Sequence, residues 1–219
     1  MNTPQTYKVF YFYLKLSSLI LASITIFSSS GFSNNVPRLA VLGDSLTAGY
    51  GLSLENTFPE KLKEALKRLN IPAVIINSGV SGDTTAGGLS RLEWLLMDKP
   101  THVMIQLGAN DMLRGINPDA VKRNLNDIVI KLKSKSVKVM LLGMYASPNL
   151  GRHYVEEYET IFPDLAKKHK ILLYPFFLAG VASEQNLNQA DGIHPNKKGV
   201  AVIVEKILPT VLKFIGLKE

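Results

Sequence analysis

Four short polar stretches hold the residues able to do chemistry. The first is Val41-Leu-Gly-Asp-Ser45-Leu-Thr-Ala-Gly-Tyr-Gly51. A serine straight after an apolar run, in a turn eased by Gly43, is held rigidly with its hydroxyl exposed, as a nucleophile must be. The stretch is not Gly-x-Ser-x-Gly, because Thr47 stands where the second glycine would be. It is not a phosphate loop either, since no Gly-Lys-Ser/Thr is present. Taken alone, Gly-Asp-Ser fits a structural turn as well as a nucleophile. The second stretch is Asn77-Ser-Gly-Val-Ser-Gly82-Asp-Thr-Thr, the third Gln106-Leu-Gly-Ala-Asn110-Asp-Met, and the fourth Asp191-Gly-Ile-His194-Pro-Asn. An Asp and a His three positions apart can share one loop, the carboxylate reaching the imidazole Nδ1 and leaving Nε2 to face a serine. A histidine preceded by Asp and followed by Pro in a polar loop is not a core histidine.

Composition removes other chemistries. The chain has no cysteine, which excludes disulfides, thiolate zinc sites, iron–sulfur ligation, a thiol nucleophile and lipid attachment through an N-terminal cysteine. Its four histidines, His102, His153, His169 and His194, form no close ligand pair, so no metal site is expected. The formal charge is +7, and of the 25 Lys and Arg residues two (Lys8 and Lys15) lie in residues 1–33, which hold no acid. The remainder, 23 basic against 18 acidic side chains, is mildly basic, and its lysines are dispersed over helical polar faces. No basic stripe interleaved with aromatics points to nucleic acid.

The elements that must position these stretches alternate. Apolar runs at Arg38–Leu42, Ala73–Ile76, Thr101–Leu107, Val137–Leu142 and Ile171–Tyr174 read as buried strands. Between them, helical spacing covers Phe58–Leu69, Gly88–Met97, Pro118–Lys133, Tyr154–Lys168 (with Pro163 expected to kink or interrupt it) and Lys197–Ile215. Such alternation implies an α/β fold, a five-stranded parallel sheet in a flavodoxin-like three-layer α/β/α sandwich. No internal repeat or linker divides it. Polar and glycine residues gather just after the first three strands, at the carboxyl edge where open α/β sheets bind ligands. Trp94 is expected to pack a helix. Met144, Tyr145, Pro148 and Phe176-Phe177-Leu178 fit either an apolar groove or the core, with core favoured.

The N-terminus has a different character. Lys8 and Lys15 precede a 12-residue apolar run, Leu16–Phe27, and a small, polar exit from Ser28 to Asn35. This describes a secretory signal peptide in residues 1–33, with one domain over residues 34–219. An uncleaved anchor over Val9–Phe27 is the alternative, at the cost of a buried Lys15. Either way the globular part is expected outside the cytoplasm, periplasmic or secreted.

The four stretches occur in order and together resemble the SGNH (GDSL-type) hydrolases, in particular the branch holding periplasmic thioesterases and lysophospholipases. The resemblance rests on Gly-Asp-Ser45, on Gly82 within Asn77-Ser-Gly-Val-Ser-Gly-Asp-Thr, on Gly-Ala-Asn110-Asp-Met-Leu-Arg-Gly115 and on Asp191-Gly-Ile-His194-Pro-Asn196, and spans Arg38 to the final helix. It implies Ser45 as nucleophile, His194 as general base and Asp191 as the group orienting the imidazole. It implies an oxyanion hole of the Ser45 N–H, the Gly82 N–H and the Asn110 side-chain amide. Met112, Leu113, Arg114, Gly115 and Ile116 would contact the acyl chain, while Asp44, Asp83 and Asp111 organise turns. The implied reaction is hydrolysis of acyl thioesters, lysophospholipids and aryl esters by a monomer that needs no cofactor and makes at most transient contact with a membrane surface. A carbohydrate O-acetyl esterase or acetyl transferase is the alternative among enzymes. A non-catalytic acyl-binding module is the alternative outside them.

Overall fold

The computed structural model describes residues 36–217, so the expected signal segment lies outside the described residues. Strands β1 (Arg38–Gly43), β2 (Val74–Gly79), β3 (His102–Gln106), β4 (Lys138–Leu142) and β5 (Leu172–Tyr174) form one sheet ordered β2-β1-β3-β4-β5. All pairings are parallel. This is the flavodoxin-like order, in which the chain reverses direction across the sheet at β1 and β3. Leu39 to Leu42 and Val103 to Ile105 are fully buried. Parallel strands covered on both faces need such unbroken apolar runs, and the runs themselves, short and bounded by turn residues, make these strands legible in the sequence.

The described helices are α1 (Ser45–Ala48), α2 (Phe58–Arg68), α3 (Thr85–Ser90), α4 (Leu92–Met97), α5 (Ala109–Leu113), α6 (Pro118–Ser134), α7 (Arg152–His169) and α8 (Lys197–Phe214). Packing pairs α2 with α8, and α6 with both α3 and α7. The long helices start where their caps dictate. Asn117 Oδ1 accepts from the Asp119 N–H with Pro118 in the first turn of α6, and Asn196 Oδ1 accepts from the Lys198 and Gly199 N–H groups of α8.

Four local expectations need correction. The helix read over Gly88–Met97 is two helices, broken at Arg91, whose φ of −101° and ψ of 11° leave the helical region. Trp94 does not pack a helix: Leu92 and Leu95 bury on α4, and Trp94, between them on the opposite side, is 77% exposed. Pro163 does not interrupt α7. It sits on the exposed face, where water can take the carbonyl its missing N–H leaves free. Finally, β2 runs on through Asn77, Ser78 and Gly79, which read as a turn. A Cβ at Gly79 would lie 2.3 Å from the Ala48 nitrogen, so only glycine lets the strand end pass this close to α1.

At the amino edge of the sheet His102 is 6% exposed, packed edge-on against Phe214 with ring centroids 5.1 Å apart. Its Nδ1 pairs with Thr101 Oγ1 at 2.8 Å, while Nε2 has no partner among the described residues. Burial, with Lys138 nearby, pushes the imidazole down to about 4. Because the unfolded chain takes up this proton more readily, stability falls as pH drops from about 6.5 to about 4, by at most about 3 kcal/mol. Asp44, described below, acts with the opposite sign over much of that interval. The test is therefore a difference: His102→Phe should gain stability relative to wild type as pH falls from 6.5 to 4 in denaturant melts. A constant difference between the two would remove the buried imidazole as the cause.

Candidate active site

In register, Gly43 pairs with Gly79 on one side and Gln106 on the other, so β1, β2 and β3 end level. The loops they release, carrying Ser45, Gly82 and Asn110, leave from one edge at the reversal point of the sheet. Asp44 follows β1 and caps α1, its Oδ1 accepting the Leu46 N–H at 3.0 Å. The single turn of α1 closes at Gly49, φ 84°, whose N–H bonds the Ser45 carbonyl. Ser45 is therefore held on a rigid turn over a fully buried strand.

Its hydroxyl meets the fourth stretch across 149 residues of chain: Ser45 Oγ lies 2.9 Å from His194 Nε2. His194 Nδ1 lies 2.7 Å from Asp191 Oδ2. The Asp191 loop builds itself, Oδ1 accepting the N–H groups of Ile193 (2.9 Å) and His194 (3.0 Å). Those backbone donors, joined by the His194 side chain, hold the Asp191 carboxyl down to about 2, so it is ionised at neutral pH. The loop joins α8 through Asn196, whose side chain also donates to the carbonyls of Asn186 and Asn188. Tyr50 covers the imidazole from outside, ring centroids 4.6 Å apart.

Gly82 adopts φ 80°, a left-handed conformation costly for other residues. The Ser45 and Gly82 N–H groups donate to no atom among the described residues. The Asn110 Nδ2 lies 3.4 Å from Asp44 Oδ2. Asp44 is fully buried, and desolvation pushes its carboxyl up to about 6 despite the Leu46 N–H and Gln106. Two side chains brace the Gly82 turn. Arg91 grips the Asp83 carboxylate at 2.7 Å and the Gly43 carbonyl at 3.0 Å, and Arg114 Nη2 donates to the Gly82 carbonyl at 2.8 Å.

Beside Ser45 opens a groove of about 390 Å³ walled by Met112, Leu113, Met144, Tyr145, Phe176 and Leu178. Its walls are mostly apolar, and Tyr145 stacks on Phe176 at 4.5 Å. Met144 is buried but lines the groove, whereas Phe177 is core. Within the 112–116 loop, Met112 and Leu113 face the groove. Arg114 turns instead to Gly82, and Ile116 offers its carbonyl to Tyr154. A larger cleft of about 660 Å³ between α6 and α7, bordered by Lys122, Arg123 and Asp164, shares no lining residue with the groove and holds no hydroxyl–imidazole pair. No cluster of potential metal ligands occurs among the described residues.

Residue type and spacing do not mark Tyr50, Arg91, Tyr154 or Tyr158 as part of this site. Tyr50 at least follows Ser45 by five residues; the others act over separations that no spacing reveals.

A serine, an imidazole and an ionised carboxylate in hydrogen-bonded series beside an apolar groove form an arrangement suited to acyl transfer. Residues 41–202 match the GDSL-like Lipase/Acylhydrolase family, and the chain belongs to it. It is 35% identical over 197 residues to an arylesterase of Vibrio mimicus, covering 90% of this chain and 98% of that one. Over 168 residues it is 36% identical to thioesterase 1/protease 1/lysophospholipase L1 of Escherichia coli K12, covering 76% and 79%. The crystal structure of TesA superposes with a TM-score of 0.77 at 38% identity, covering 81% of this chain and 99% of that chain.

Proposed function

We propose that the protein is an exported serine hydrolase that cleaves fatty-acyl esters and thioesters, lysophospholipids and aryl esters among them, through an acyl-enzyme. The observation that carries this reading is the Ser45–His194–Asp191 series, 2.9 and 2.7 Å long, at the mouth of an apolar groove. Ser45 Oγ attacks the acyl carbonyl while His194 Nε2 takes its proton, and Asp191 holds the imidazole with Nδ1 protonated. The carbonyl oxygen, now anionic, is met by the N–H groups of Ser45 and Gly82 and by the Asn110 amide. Collapse of the tetrahedral species expels the alcohol or thiol, which receives the proton from His194. Water, deprotonated by the same imidazole, then attacks the acyl-serine and releases the fatty acid. The chemistry draws on these side chains, two backbone N–H groups and water, and needs no cofactor.

Residues 1–33 act as the signal peptide and residues 34–219 as the hydrolase domain, placed in the periplasm or secreted. The monomer meets lipid surfaces transiently, and nucleic acid is not a partner. The relatives' activities on aryl esters, thioesters and lysophospholipids suit a groove that holds the acyl chain and leaves the leaving group in solvent.

A p-nitrophenyl ester series from acetyl to palmitoyl tests the assignment of substrate. Each methylene buried contributes about 0.8 kcal/mol, so lengthening acetyl to hexanoyl should raise kcat/KM by more than about 10-fold. A maximum at acetyl, falling with every added methylene, would replace the fatty-acyl reading with hydrolysis of short acetyl esters.

A further inference from the structure

The segment 108–116, a loop built around α5, carries Asn110 and two groove residues and is held from behind by a helix that supplies neither. Gly108, φ 117°, starts α5, and its carbonyl accepts both the Met112 N–H at 2.9 Å and the Tyr158 hydroxyl at 2.8 Å. At the other end, the Ile116 carbonyl accepts the Tyr154 hydroxyl at 2.9 Å. Tyr154 and Tyr158 lie one turn apart on α7 and stack, centroids 5.8 Å apart and nearly parallel. The middle of the loop is pinned separately. Asp111, buried, accepts the Thr85 N–H and hydroxyl at 2.9 and 2.6 Å, and Asn124 donates to that hydroxyl.

Tyr158 is fully buried. A phenylalanine there would fill the same space without the cost of desolvating a hydroxyl. The hydroxyl is spent on one carbonyl, two residues before Asn110. The spacing also leaves no slack, since a Cβ on Gly108 would lie 2.6 Å from the Tyr158 oxygen. Oxyanion donors gain their effect from being fixed in advance, and an ångström of play in Asn110 would forfeit much of it.

We infer that Tyr158 and Tyr154 are positioning residues: the first sets Asn110 against Ser45, and the second holds the end of the loop whose Met112 and Leu113 wall the acyl groove. This rests on Asn110 serving as an oxyanion donor. The two tyrosines thus act on different kinetic quantities. Tyr158 governs the rate of the chemical step, and Tyr154 the fit of the acyl chain.

The test measures kcat and KM on p-nitrophenyl acetate and hexanoate for Tyr158→Phe and Tyr154→Phe, each also combined with Asn110→Ala. Tyr158→Phe should lower kcat about 10-fold with KM within about twofold, and should cost less than about twofold once Asn110 is alanine. Tyr154→Phe should raise KM for the hexanoate about threefold and leave acetate unchanged. Equal losses from Tyr158→Phe with and without Asn110, or no loss in either, overturn the inference alone. Wild-type activity in Asn110→Ala overturns the proposed oxyanion hole and this inference with it. Should Tyr158→Phe destabilise the fold by more than about 10 °C in melting temperature, its comparison with and without Asn110→Ala is made well below that temperature, and equal KM changes on acetate and hexanoate for Tyr154→Phe, or none, overturn the second half of the inference.

Discussion

Ser45→Ala should lower kcat/KM for p-nitrophenyl hexanoate by about 10⁵-fold or more while leaving a folded protein. Removing a nucleophile from such a relay costs this much because what remains is only binding and oxyanion stabilisation, and neither can form the acyl bond. Folding should survive for local reasons. The Ser45 residue is partly buried, and among the described residues its hydroxyl bonds only His194, so alanine leaves the imidazole Nε2 open to the groove and to water. Asp44 keeps its cap on Leu46, and α1 keeps its closing bond at Gly49. His194→Ala should cost a similar factor, and the double variant little more, since the two side chains perform one step. A fluorophosphonate probe supplies an independent readout: it should label wild type once, at Ser45, and fail on the alanine variant. Two other serines, Ser147 and Ser183, line the groove, but neither hydroxyl bonds a histidine. Labelling of the alanine variant at either one would move the nucleophile and withdraw the assignment of Ser45.

What the sequence disclosed about this site, and what it hid, follows from the range of each interaction. Asp191 and His194 are three residues apart, and their pairing is a local property of one loop, readable from residue types. Ser45 and His194 meet across 149 residues, and only the joint occurrence of four stretches in order connected them. The strands were legible because burial on both faces forces apolar runs, as at Leu39–Leu42 and Val103–Ile105. The end of β2 was not, because Asn77-Ser-Gly has turn composition and extends only where a neighbouring helix makes room for Gly79. Trp94 is not legible from its type, because size and apolarity suggest a packing partner while its angular position on α4 lies opposite Leu92 and Leu95. The braces behind the site, Arg91 to Gly43, Arg114 to Gly82 and Tyr158 to Gly108, all end on backbone carbonyls. A carbonyl is present at every residue, so no choice of side chain advertises which one is to be held.

Asp191→Asn should lower kcat by about 10³- to 10⁴-fold, although it alters one heavy atom. Asp191 does two jobs through two oxygens: Oδ1 caps the Ile193 and His194 N–H groups, and Oδ2 accepts from His194 Nδ1. Asparagine keeps the first job, because its oxygen still accepts both backbone donors and the loop retains its shape. It inverts the second. The amide NH₂ now faces Nδ1 as a donor, so Nδ1 must accept, and the ring proton moves to Nε2. There it points at Ser45 Oγ and can no longer take the hydroxyl proton, the wrong tautomer for a base. Asp191→Ala fails differently, freeing the backbone N–H groups and loosening the loop while leaving the imidazole able to choose its tautomer. The two variants should therefore separate: asparagine with a wild-type melting temperature and a larger kcat loss, alanine with a lower melting temperature. Because the carboxyl is held at about 2 by those same backbone donors, wild-type activity should show no loss from Asp191 protonation down to about pH 4. Asp191→Asn at more than about a tenth of wild-type kcat would mean that another group orients His194, and the carboxylate's part would shrink to capping its own loop.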